Sequence, residues 1–157
     1  MTTEITKDYN GYPDVPGITP ENFELGEGGI SLNQYNKAQE ELKNYDMVVL
    51  QHEIPLETVH YTVEFCSENN IPVILNPAPA AEVPMEVVEK VTYLTPNEHE
   101  AVLIFGNELS SEELLKKYAG KLLITQGSKG VSTCLETGEI LTVPARPAKV
   151  VDTTGAG

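Results

Sequence analysis

Four short apolar runs, separated by stretches long enough for helices, constrain this chain more than any other feature. Residues 46–51, 71–75, 91–94 and 121–125 are each too short for a helix and lack the alternation of a half-exposed strand. Such continuous runs suit parallel strands covered on both faces, so all four are expected to be buried. Between the first two, Leu56, Val59, Val63 and Cys66 recur at helical spacing, and Asn69-Asn70 marks the exit. Two strands joined by one helix form a parallel crossover unit. After residue 125 the rhythm changes. Val131 to Leu135 and Ile140 to Val143, separated by Thr137-Gly138, read as a β-hairpin. The expected fold is therefore α/β, a mostly parallel sheet with flanking helices and a late antiparallel hairpin.

Helix boundaries are marked along the chain. Ser31 and Gln34 have capping-box spacing, followed by Tyr35, Ala38, Leu42 and Tyr45 on one helical face. Pro84 opens a short helix through Val87 and Val88. Thr95-Pro96-Asn97-Glu98 reads as a cap at Thr95, proline in the first helical position and an acid three after the cap. That helix runs through Ala101, Val102 and Phe105 and stops at Gly106. Ser110 and Glu113 cap the next, which carries Leu114, Leu115 and Tyr118. Residues 1–30 are rich in turn formers and read as an irregular lead-in, leaving 31–157 as the structured domain.

Charge and composition exclude several functions. The formal net charge of −14 argues against nucleic acid. It leaves room for a nucleotide, because Mg²⁺ and backbone N–H groups hold phosphate without a basic surface. No apolar run reaches the length of a membrane span. The start, Met1-Thr2-Thr3-Glu4, does not read as a secretory leader. Cys66 and Cys134 lack metal-ligand spacing and read as two buried free thiols in a reducing, cytoplasmic setting. The histidines share no spacing and receive no catalytic or metal role. A dinucleotide-binding oxidoreductase is disfavoured, since no Gly-x-Gly-x-x-Gly lies between a strand and a helix.

In open α/β sheets, ligands sit outside the carboxyl ends of the strands. Polar residues collect at those ends: Glu53, Asn76, Asn97 with Glu100, Thr125-Gln126-Gly127-Ser128, and Asp152. Glu53 could accept hydrogen bonds from substrate hydroxyls, or be a loop acid. Asn97 and Glu100 could hold the water shell of Mg²⁺, or Glu100 could be a solvated first-turn acid. Gly127-Ser128-Lys129-Gly130 could pass close to nucleotide phosphates, or serve only as a hairpin connection. Asp152 could bind a cation or cap a turn. Gly155-Ala156-Gly157 could aim several N–H groups at an anion, or form a plain strand-to-helix turn.

Asp152-Thr153-Thr154-Gly155-Ala156-Gly157 resembles the C-terminal motif of the ribokinase (PfkB) family of carbohydrate kinases. Thr95-Pro96-Asn97-Glu98-His99-Glu100 resembles that family's Asn-x-x-Glu motif. Asn76-Pro77-Ala78-Pro79-Ala80 and Thr125-Gln126-Gly127-Ser128-Lys129-Gly130 look most like the ribokinases within it. The likeness runs from about residue 46 to residue 157, with the motifs in order. It implies transfer of the ATP γ-phosphoryl group to a sugar hydroxyl, with ribose the leading substrate and ribose 5-phosphate the product. By the same resemblance, Glu53 would contact the sugar, and Asn97 and Glu100 would order Mg²⁺ and phosphates. Thr125, Gly127, Ser128 and Gly130 would contact the nucleotide. Asp152 and the Thr154 carbonyl would belong to a monovalent-cation (K⁺) site, and Gly155, Ala156 and Gly157 would form the anion hole.

The family's catalytic aspartate follows this motif directly, so the chain stops one residue short of it. The family's N-terminal half, with its Gly-Gly sugar motif, and its C-terminal helices also find no counterpart; Gly28-Gly29 lies in another context. The chain is therefore expected to correspond to the middle of a homodimeric sugar kinase. Alone, it is expected to be nearly inactive and prone to association. The competing reading is a non-catalytic nucleotide- or sugar-binding module.

Overall fold

The structure is a computed structural model in which residues 38–146 are described. The chain divides into two compact units, Met1–Asp46 and Met47–Gly157. Of the first, residues 38–42 are helical, closed by Tyr45 N–H donating to the Leu42 carbonyl at 3.1 Å. Tyr45 lies past the last helical residue and is exposed, so it does not continue the face begun by Ala38 and Leu42. Ser31, Gln34 and Tyr35 lie outside the described residues.

The second unit opens with strand β1 (Val48–Gln51) and helix α1 (Leu56–Glu68), followed by β2 (Val73–Asn76). Helix α2 (Met85–Lys90) leads to β3 (Tyr93–Leu94), a two-residue strand shorter than the apolar run around it. Helices α3 (Glu98–Phe105) and α4 (Ser111–Lys117) follow. The unit continues with β4 (Leu123–Thr125), a 3₁₀ turn at Gly127–Lys129, and the hairpin strands β5 (Val131–Cys134) and β6 (Ile140–Val143). The expected α/β architecture is present. Strands β1, β2 and β3 pair in parallel, with Val48 opposite Val73 and Leu75 opposite Leu94. Parallel bridges Leu94 to Leu122 and Asn97 to Thr125 carry this order across to β4. Strands β4, β5 and β6 are antiparallel, with Ile124 opposite Ser132 and Ser132 opposite Thr142.

The helix faces follow the sequence pattern closely. Val59, Val63 and Cys66 on α1 are buried, and α1 packs on α2, β1 and β2. Asn70 adopts φ 57° just after α1, a conformation asparagine tolerates better than most residues. Ser110 and Glu113 form the expected reciprocal cap of α4, whose Leu114 and Leu115 are buried. Gly106, at φ 77°, ends α3. The core gathers Val59, Val63, Leu75, Leu94, Leu122 and Ile124, all fully buried. Each such side chain contributes about 1.5–3 kcal/mol through the water it releases. Cys66 and Cys134 are free, buried thiols. Burial pushes the Cys66 thiol up from its ordinary pKa.

Two local expectations need correction. Strand β1 is parallel but not buried on both faces, since Val49 is 66% exposed and Met47 is also exposed. It stands at the end of the order β1-β2-β3, where one face and one edge lack cover among the described residues. On α3, Glu100 and Ala101 are buried and Val102 is exposed. The cap of α3 is Asn97, not Thr95. Thr95 N–H donates to the Leu75 carbonyl and Thr125 N–H to the Pro96 carbonyl, both at 2.9 Å. Those sheet bonds hold the chain extended for two residues longer than the local pattern implies.

Candidate functional site

Parallel pairing brings the carboxyl ends of β1 to β4 to one rim of the sheet. At the end of β1, Gln51 lies opposite Asn76 at the end of β2. The next residue, His52, donates its backbone N–H to the Ala78 carbonyl at 2.9 Å, and its Nδ1 lies 3.3 Å from the Pro79 carbonyl. The chain thus turns tightly against the 77–80 segment, leaving Glu53 exposed at the rim.

At the end of β3, Asn97 Oδ1 accepts from Glu100 N–H, and Glu100 Oε2 accepts from Asn97 N–H, each at 2.8 Å. This reciprocal pair satisfies two N–H groups at the start of α3 and locks both side chains. Glu100 is only 5% exposed, so it is not a freely solvated first-turn acid. The cap uses only its Oε2.

The bridge from Asn97 to Thr125 sets the end of β4 beside this corner. Beyond it, Gln126 N–H donates to the Gly130 carbonyl at 2.8 Å and Gly130 N–H to the Gly127 carbonyl at 3.0 Å. Gly130 has a physical reason to be glycine. Its φ is +100°, and a Cβ there would stand 2.0 Å from the Val143 carbonyl oxygen. Gly127, at φ +53°, borders open space. Ser128 and Lys129 are exposed in the same turn.

Glu53, Asn97, Glu100, Thr125, Gly127, Ser128 and Gly130 therefore occupy the ends of, or turns after, adjacent parallel strands. Asp152, Thr154, Gly155, Ala156 and Gly157 lie outside the described residues. Among the described residues, no three His, Cys, Asp or Glu side chains are grouped closely enough to hold a metal ion.

Sequence reasoning missed several buried polar groups. His52 is only 7% exposed, and its Nε2, like that of His60 on α1, is buried without a hydrogen-bond partner among the described residues. Burial pushes the His52 imidazole below its ordinary 6.5, and His60 adds to the effect. The Pro79 carbonyl and the Glu100 carboxylate act the other way. Ser132 is, after Glu100 and His52, a third buried polar residue. The histidines left no sequence signal, because they lack shared spacing. Ser132 did leave one: it occupies an inward strand position two before the buried Cys134.

Residues 21–157 match the family described as pfkB family carbohydrate kinase. A ribokinase of Bacillus subtilis is 48% identical over 120 residues, covering 76% of this chain and 40% of the relative. A ribokinase of Lactococcus lactis is 50% identical over 119 residues, covering 75% and 39%. Among solved structures, Arabidopsis thaliana ribokinase complexed with ribose and ATP superposes with TM-score 0.64 at 28% identity, over 77% of this chain and 42% of that one. Ribokinase from Thermotoga maritima gives TM-score 0.60 at 33% identity, over 73% and 40%. The chain thus spans about two fifths of the length of the curated relatives it matches. With its helix-flanked parallel strands, its rim of polar strand ends and a family match that covers most of its length, the chain belongs to the pfkB family of carbohydrate kinases.

Proposed function

We propose that this chain is the nucleotide-side portion of an ATP-dependent sugar kinase. In that enzyme the γ-phosphoryl group of ATP passes to a sugar hydroxyl, with ribose the favoured acceptor and ribose 5-phosphate the product. The observation that carries this reading is the convergence of Glu53, Asn97, Glu100 and Thr125 on one rim. The ribokinase relatives, including one structure with ribose and ATP, support the choice of substrates.

The roles follow from what phosphoryl transfer requires, which is positioning and charge stabilisation more than covalent chemistry. Glu53, exposed at the end of β1, accepts hydrogen bonds from sugar hydroxyls. Thr125, Gly127, Ser128 and Gly130 line the nucleotide, and the open space beside Gly127 leaves its backbone approachable by phosphate. Asn97 and Glu100 order the phosphates and the water shell of Mg²⁺. Their donor set fits that ion, which keeps several waters and takes few direct carboxylates. When bound, Mg²⁺ neutralises charge on the phosphates. Asp152 and the Thr154 carbonyl serve a monovalent cation, K⁺. Gly155, Ala156 and Gly157 offer N–H groups to the charge that develops in transfer. In this reading, residues 31–157 act in a cytoplasmic enzyme that is a homodimer when complete. The two free thiols, Cys66 and Cys134, support a reducing compartment.

By the family resemblance, the proton acceptor for the sugar hydroxyl would directly follow Gly157, and general-base catalysis is typically worth about 10²–10⁴-fold. The isolated chain is therefore expected to bind ATP and transfer almost nothing. Calorimetric titration with ATP, alongside transfer of labelled γ-phosphate to ribose, tests both parts. Failure to bind ATP more firmly than NADH refutes the nucleotide reading. Clear phosphorylation of ribose refutes the claim of inactivity. Firm binding of ATP with no transfer by any extended form favours a non-catalytic module.

A further inference from the structure

The turn that carries Glu53 is tied to a second turn by the residue just before it. His52 stands between Gln51, the last residue of β1, and Glu53. Its backbone N–H donates to the Ala78 carbonyl at 2.9 Å. Its Nδ1 lies 3.3 Å from the carbonyl of the next residue, Pro79, 27 positions along the chain. A carbonyl oxygen only accepts, so Nδ1 carries the ring hydrogen and donates it. One residue thus makes two bonds, one from main chain and one from side chain, to consecutive carbonyls beyond the end of β2 at Asn76.

The imidazole is enclosed, while Gln51 before it and Glu53 after it are exposed. Burial keeps the ring neutral; the charge of His60 on α1 acts the same way and that of Glu100 on α3 opposes it. In the neutral Nδ1–H form, Nε2 is an acceptor, and it is buried without a partner among the described residues. An unpartnered nitrogen is a cost that an apolar side chain of the same bulk would avoid. The bond to Pro79 is what an imidazole adds there. Glu53 makes no hydrogen bond or ion pair of its own among the described residues. Its place is set by its neighbours, and His52 is the one that is held at two points.

We infer that His52 is a positioning residue for Glu53: its side chain ties the turn after β1 to the Ala78-Pro79 carbonyls and so fixes where the Glu53 carboxylate meets the hydroxyls of a sugar. This rests on the sugar-binding role proposed above for Glu53 and adds to it the group that holds that carboxylate in place.

His52→Asn and His52→Leu separate the bond from the bulk. The asparagine side-chain nitrogen stands where Nδ1 does and keeps a donor for Pro79, whereas leucine fills the space without one. In the full 157-residue chain, hydrogen exchange of the position-52 amide, corrected for intrinsic rate, is expected to be about fivefold faster in His52→Leu. In His52→Asn it is expected to stay within about twofold of wild type. Backbone ¹⁵N relaxation at Glu53 is expected to follow the same order, with added motion only in His52→Leu. A merely structural loss of stability would speed the amides of Val63 and Cys66 on α1 by the same factor; they are expected to hold. In the wild-type chain, the imidazole ¹⁵N shifts of His52 are expected to be those of the Nδ1–H form. Titration with ribose is expected to move the Glu53 resonances, less in His52→Leu and again fully in His52→Asn. If the ring carries its hydrogen on Nε2, if His52→Leu matches wild type, or if His52→Asn is no better than His52→Leu, the inference is overturned while the kinase reading stands. If the exchange results hold but ribose leaves Glu53 unmoved in the wild-type chain, the sugar role of Glu53 falls, and the positioning role with it.

Discussion

Replacing Gly130 with alanine separates two costs that usually arrive together. The first is conformational. Gly130 sits at φ +100°, where an L side chain is strained by roughly 1–3 kcal/mol. The second is steric. The new Cβ would lie 2.0 Å from Val143 O, 2.7 Å from Ala145 N and 2.8 Å from Pro144 C. An ordinary carbon–oxygen contact is about 3.3 Å, so the shortfall against Val143 is about 1.3 Å. All three neighbours are backbone atoms, and Val143 belongs to β6, which is paired along β5. They cannot swing aside as a side-chain tip would. Overpacking of this kind costs about 1–3 kcal/mol more. Gly138→Ala is the control, because it sits at φ +86° with nothing within 4 Å and carries only the conformational cost. We predict that Gly130→Ala destabilises the chain by about 2–6 kcal/mol, at least about 1 kcal/mol beyond Gly138→Ala. For a chain of this size that excess lowers Tm by about 2–4 °C per kcal/mol. Urea unfolding followed by circular dichroism, with thermal melts, measures both variants. If the two agree within about 0.5 kcal/mol, the close approach of the turn to β6 is not what requires glycine at 130.

The cap and the buried histidine make two further predictions. Asn97→Ala removes the acceptor for Glu100 N–H and is expected to cost about 1 kcal/mol, whereas Asn97→Asp keeps it and should cost less; urea midpoints that rank them the other way would contradict the cap assignment. Burial lowers the pKa of His52, so the unfolded chain takes up its proton first as pH falls. The stability from neutral His52 is thus complete above its ordinary 6.5 and lost as pH drops below that value. Unfolding midpoints from about pH 5 to 7 should therefore rise with pH, and His52→Leu should flatten that slope; an unchanged slope would count against a buried neutral imidazole.

Much of the fold was legible wherever the deciding interactions are local. The inner face of α1 could be read from the spacing of Val59, Val63 and Cys66, because one helical turn brings such residues together. The Ser110–Glu113 cap and the Gly106 stop depend on neighbours within four residues, and both are present. The cap of α3 was misplaced because it does not depend on neighbours alone. Thr95 has the right side chain to cap, but its N–H is taken by Leu75, twenty residues away. Val49 was misread for a similar reason. An apolar run cannot reveal that its strand stands at the end of the sheet order.

The candidate site divides along the same line. Residue type and spacing marked candidates, namely the glycines at 127 and 130, the Asn97 and Glu100 pair and the acid at 53, and left open whether each binds a ligand; their roles came from the family resemblance. Tertiary structure decided that these meet. Parallel pairing sets Gln51 beside Asn76 and Asn97 beside Thr125, so four strand ends share one rim. It also turned Ser132 onto Gln126 and set His52 against the 77–80 turn. Helix periodicity and capping act over three or four residues and are written in the local chain. Strand order and burial arise from pairings tens of residues apart, which exist only once the sheet has formed.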